Sequence, residues 1–126
     1  MTRFYKGEMA SREAGEAMTD KLNYIVQLDA TGKIEVGEGQ TDLLVGVLQN
    51  TPAAGEMASY QFTGIAKVKA GGTIAIGAYV SSDANGKAVA TTTNGHVVIG
   101  RYVGTAAAAD GDIIEVQLGI HKAWFA

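Results

Sequence analysis

The stretches DATGK, residues 29–33, and DANGK, residues 83–87, stand 54 positions apart and share four of five residues. A turn written twice is either a repeated site or a repeated piece of scaffold, and the flanking residues decide between them. Sliding the sequence by 54 lays residues 25–54 on 79–108 without a gap. Val26 falls on Val80, Asp29 on Asp83, Ala30 on Ala84, Gly32 on Gly86, Lys33 on Lys87 and Gly46 on Gly100. Thr51 falls on Thr105, and Ala53-Ala54 on Ala107-Ala108. After a two-residue insertion, GEMASYQF (55–62) meets GDIIEVQL (111–118). The chain therefore contains one β-unit twice, as an internal repeat over 24–64 and 78–119. Two copies are too few for a solenoid, so they should pack on each other.

Each copy predicts the same elements. A strand (24–28, 78–82) enters the Asp-Ala-X-Gly turn and a strand returns from it (33–36, 87–92). Asn85-Gly86 is a strong signal for a type I′ hairpin, whose two central residues both take positive φ; Thr31-Gly32 is the weaker version. An apolar strand follows (43–48, 97–103), then an alanine-rich loop and a strand with period-two alternation. Tyr60 and Phe62 match Val116 and Leu118 on its apolar face. Between the copies, GIAKVKAGGTIAIG reads as a linking strand pair. Seventeen glycines against one proline, with many β-branched residues, fit short strands and tight turns. The expected fold is all-β: a compact, mostly antiparallel barrel or barrel-like sandwich of about nine or ten strands, spanning residues 22–126 as one domain. Residues 1–21 stand outside the repeat and read as an extended arm ordered by a partner, so removing 2–19 should leave the body folded.

Composition narrows the function. The 126 residues suffice for one domain with its own core, and the absence of cysteine excludes disulfides and thiolate metal sites. That suits assembly in a reducing cytoplasm. A net charge of −3 without a basic stripe argues against nucleic acid. No apolar run reaches membrane-spanning length, and the mixed-charge N-terminus lacks the apolar segment of a signal peptide.

The repeated turns fail as sites. A phosphate loop needs glycine five residues before Gly-Lys and Ser or Thr after it; here Gln27 or Ser81 precedes, and Ile34 or Ala88 follows. The glycine is misplaced for a calcium loop. Asp110, Asp112 and Glu115 lack recognised spacing, and Asp-Gly is first a turn signal. His96 and His121 have neither metal-ligand spacing nor an evident carboxylate partner. Elimination leaves a non-enzyme with no cofactor. The candidates for partner contact are aromatic residues beside cations at the two ends: Arg3, Phe4, Tyr5 and Lys6, with Trp124 and Phe125.

In order, Val45-Gly46-Val47, Ala53-Ala54-Gly55-Glu56, Gly64, Val68 through Gly77, Val80, Asp83 through Lys87, Ile99-Gly100 and Gly111-Asp112 form a pattern. With it the chain, over about residues 20–119, resembles the capsid cement, or head decoration, proteins of tailed bacteriophages. The resemblance implies a small β-protein on the capsid exterior of the virion, usually a homotrimer, bridging major capsid protein subunits against the pressure of packaged DNA. It implies no catalytic residues. The competing expectation is a carbohydrate- or ligand-binding β-module, with Trp124 as its platform.

Overall fold

The computed structural model describes residues 7–122, and among them every regular element is a strand. In chain order these are β1 (Met9–Glu13), β2 (Ile25–Leu28), β3 (Ile34–Val36), β4 (Leu44–Leu48), β5 (Met57–Gln61), β6 (Ile65–Lys69), β7 (Tyr79–Ser82), β8 (Ala88–Ala90), β9 (Val97–Tyr102) and β10 (Ile113–Lys122). They form two five-stranded sheets, ordered β1-β5-β4-β2-β3 and β6-β10-β9-β7-β8, with every strand pair antiparallel. Adding five to each strand of the first order gives the second. The two sheets pack together as a sandwich, the second of the two expected forms, and not as a closed barrel. One parallel bridge in each, Ala14 with Ile34 and Ala70 with Ala88, brings the chain just beyond β1 or β6 against β3 or β8.

The repeat is larger than the sequence reading made it. Residues expected to form an arm carry β1, paired from Met9↔Gln61 to Glu13↔Met57. Beyond it, Ala14 and Met18 are 1% and 0% exposed. The stretch called a linking pair contributes β6 alone, the counterpart of β1. MASREAGEAM (9–18) thus matches IAKVKAGGTI (65–74) at an offset of 56, with Ala10 on Ala66, Ala14 on Ala70, Gly15 on Gly71 and Met18 on Ile74. Backbone hydrogen bonds repeat with it. The N–H of Ala14 donates to the Glu56 carbonyl, and that of Ala70 to the Asp112 carbonyl, both at 2.7 Å. Farther on, Met18 N–H reaches Pro52 and Ile74 N–H reaches Ala108, at 2.9 and 3.1 Å. That pairing sets Pro52, and not Ala54, against Ala108, so the insertion lies before the alanine-rich loop instead of after it.

The turn type also differs. In both hairpins only the glycine has positive φ, 81° at Gly32 and 78° at Gly86. The N–H of Gly32 donates to the Asp29 carbonyl at 3.1 Å, and the Asp29 N–H to the Lys33 carbonyl at 2.8 Å. This is a three-residue type I turn closed by a glycine bulge. Asn85 is not forced to positive φ because the loop has one residue more than a type I′ hairpin.

Each repeat buries a matched set of side chains. Ala14, Met18, Val26, Ile34, Leu48, Ala58 and Tyr60 cluster in the first. Ala70, Ile74, Val80, Ala88, Tyr102, Ile114 and Val116 hold the corresponding places in the second. Ile25, Leu44 and Val47 of the first repeat join the second cluster and so weld the halves. Gly46 and Gly100 have a matched cause as well: a Cβ there would overlap the carbonyl oxygen of Gln61 or Gln117 on the adjacent strand.

Candidate interaction surfaces

The polar residues singled out in the sequence are occupied with holding turns. Asp29 Oδ1 accepts from the Thr31 hydroxyl and N–H, both at 2.8 Å, and from the Lys33 N–H at 3.0 Å. Those bonds, the Thr31 hydroxyl foremost, hold the Asp29 carboxyl below the usual carboxylate range. Asp83 repeats the arrangement with the N–H groups of Asn85 and Lys87, at 2.8 and 2.9 Å. Lys33 pairs with Glu13 at 3.0 Å, which raises its ammonium above the ordinary lysine range and ties the hairpin to β1. The Asp112 carboxylate accepts from the Ala109 N–H at 2.9 Å, as Glu56 does from Ala53 at 2.6 Å. A carboxylate at that position caps a turn.

His96 Nδ1 lies 2.6 Å from the Thr91 hydroxyl, which also accepts from the Thr93 N–H at 3.3 Å. This staples the 91–96 loop. His121 Nδ1 lies 2.9 Å from the Gly119 carbonyl, with its ring edge-on to Tyr79. The two histidines thus sit in separate settings. Among the described residues no three His, Asp or Glu side chains gather to hold a metal. The densest carboxylates, Glu35 and Glu38, share the Gln27 amide as donor, at 2.9 and 3.1 Å. Repulsion from Glu35 raises the Glu38 carboxyl above its ordinary range.

Arg3, Phe4, Tyr5, Lys6, Trp124 and Phe125, the residues named for partner contact, lie outside the described residues. Other apolar side chains face solvent at matched places in the two repeats: Leu22 with Ile76, 46% and 56% exposed, and Met57 with Ile113, 56% and 51%. The sequence reading missed both pairs. The signal was present, because each pair is one repeat position occupied twice by an apolar residue.

Turn caps, a stapled loop, two welded cores and duplicated exposed apolar positions define a class: a tandem-repeat β-sandwich. The family profile for phage cement proteins matches residues 19–118, and the chain belongs to that family. Its role is accordingly a structural one in the phage virion. The fold is similar to that of the head fiber gp8.5 N base in bacteriophage phi29, with a TM-score of 0.68 at 16% identity, over 95% of this chain and 100% of that one. No curated protein matches the chain.

Proposed function

We propose that this protein is a capsid decoration protein: it binds the outer surface of a phage head as a homo-oligomer, a trimer, and bridges neighbouring major capsid protein subunits. The observation that carries the reading is the cement-family match, which begins after β1 and runs from residue 19 to residue 118, through the rest of both repeats. The role needs stiffness and several contact surfaces, and no catalytic step enters it. Two welded β-units meet the first need, and duplicated exposed apolar positions suit the second. Several weak contacts made by one rigid body raise avidity by orders of magnitude, since each contact after the first is intramolecular.

Co-sedimentation of the purified protein with undecorated heads tests the proposal. Saturable binding is expected, with decorated heads surviving heating or osmotic shock that opens bare ones. Heads that bind no protein, or gain no resistance when saturated, would overturn it.

A further inference from the structure

Each repeat projects one turn of the same construction. Residues 53–57, Ala-Ala-Gly-Glu-Met, and residues 109–113, Ala-Asp-Gly-Asp-Ile, correspond at the offset of 56, and all five are exposed in both copies. Buried Pro52 and Ala58 bracket the first turn, and buried Ala108 and Ile114 the second. The same hydrogen bonds hold both. Gly55 N–H donates to the Ala14 carbonyl and Gly111 N–H to the Ala70 carbonyl, each at 2.9 Å. The N–H of Glu56 reaches the Ala53 carbonyl at 3.0 Å, and that of Asp112 the Ala109 carbonyl at 3.1 Å. Glu56 and Asp112 close the turns further by accepting from the Ala53 and Ala109 N–H groups through one carboxylate oxygen each. Gly55 and Gly111 take φ of 86° and 89°, and a Cβ on either would enter open space. The turn backbone is thus fixed from within while its outer side is open to approach.

Both turns end on an apolar side chain in solvent, Met57 at 56% and Ile113 at 51% exposure. One exposed apolar residue is ordinary on a protein surface. The same place filled by one in both copies is not, because the strand alongside has diverged. Met57 lies across from Glu13 and Ile113 across from Lys69, residues of opposite charge. What the turns share is an acid followed by a large apolar side chain, and Asp110 adds a second acid in repeat two. The surface complementary to both is an apolar pocket with a cation at its rim.

We propose that these two turns are the anchors by which the protein holds the phage head, each seated in the same Lys- or Arg-rimmed apolar pocket on two copies of one shell protein. One chain thus spans two like subunits. Matched turns on one body call for matched acceptors, and a shell assembled from many copies of one protein supplies them. The seam between the repeats keeps the anchors in fixed relation. It is joined by Ile25 N–H to the Gly86 carbonyl at 2.8 Å, Lys69 N–H to the Asn23 carbonyl at 2.9 Å and Val97 N–H to the Gln40 carbonyl at 2.7 Å. Because turns and seam are ordered before contact, little conformational freedom is lost on docking, and the second anchor binds within the complex that the first has formed. The inference rests on the head binding proposed above and assigns its surface and its valence.

The test is co-sedimentation of the full chain with undecorated heads over a range of salt, for wild type, Met57→Glu, Ile113→Glu and the double variant. Both side chains are exposed, so the variants should keep the wild-type melting curve. Met57→Thr and Ile113→Thr, which remove the anchor without adding charge, replace any Glu variant that melts early. Each single variant should bind about a hundredfold more weakly, and the double variant should not bind measurably. Glu56→Gln combined with Asp112→Asn keeps both turn caps and removes both charges, so it should weaken binding at low salt and flatten the salt dependence. A wild type that does not sediment with heads overturns the function proposed above and this inference together. A wild type that binds, with folded variants that bind equally well, removes the turns alone. Loss in only one of the single variants refutes the paired anchors. An unchanged salt dependence in the Gln/Asn variant refutes the cationic rim.

Discussion

At the residue scale, the aspartate that opens each hairpin does most with least. Asp29 gathers three hydrogen bonds at one carboxylate oxygen, and its lowered pKa is the thermodynamic sign that the folded state favours the charged form. That stabilisation is present above the ordinary aspartate value and is lost as pH falls through the lowered one. Asp29→Asn keeps the acceptor oxygen and removes the charge, so urea unfolding should show wild type ahead at pH 6 and the gap closing as pH falls below the ordinary aspartate value of 3.8. The glycines of β4 and β9 make the opposite point, that of space. Gly100→Ala places a methyl group against the Gln117 carbonyl, a backbone atom that cannot turn aside, and should cost about 1–3 kcal/mol by denaturant titration. The Asp-Ala-X-Gly turn was legible because its chemistry is local. The turn type was not, because Asn-Gly permits positive φ at both residues without requiring it, and loop length decided.

At the element scale, β1 is the telling strand. Its burial is meagre, with four of five residues exposed, so alternation was too weak to announce it. What holds it is pairing along β5 and the anchor that follows, Met18, fully buried among Val26, Ile34 and Leu48. Met18→Ala should therefore destabilise the fold by about 2–5 kcal/mol in urea titration. Deletion of residues 2–19 should abolish cooperative unfolding, not release a folded body as the sequence reading expected. The strand could have been found: Ala14-Gly15 repeats as Ala70-Gly71, but only once the offset changes from 54 to 56. The strands from β2 to β5 and from β7 to β10 were legible because their apolar periods and turn residues agree. An element fixed chiefly by backbone pairing leaves little trace in hydropathy.

At the scale of the whole molecule, the duplication was readable and the way its halves meet was not. Sequence similarity implies equal faces; the fold gives them unequal work. Val47 is sealed between the repeats while its counterpart Arg101 lies in solvent, a difference visible in the residue types only after the alignment has been given three dimensions. Val47→Arg imports the exposed version into the seam. An unpaired buried charge should cost about 3–5 kcal/mol, with a lowered melting temperature and binding of a hydrophobic dye as the readout. The candidate contact residues at the chain ends came from composition alone. The exposed pairs Leu22/Ile76 and Met57/Ile113 came from geometry, and they now offer the more specific targets for substitution.

The interleaved strand order bears on how the chain is made. β1 leaves the ribosome early yet cannot pair until β5 has been translated, nearly fifty residues later. Even then Ile25 waits for the Gly86 carbonyl, so a nascent first half stays sticky while the second is still being read out. Such long-range closure is slow and exposes apolar surface in the meantime. The interval between those two contacts sets the window in which neighbouring nascent chains can entangle.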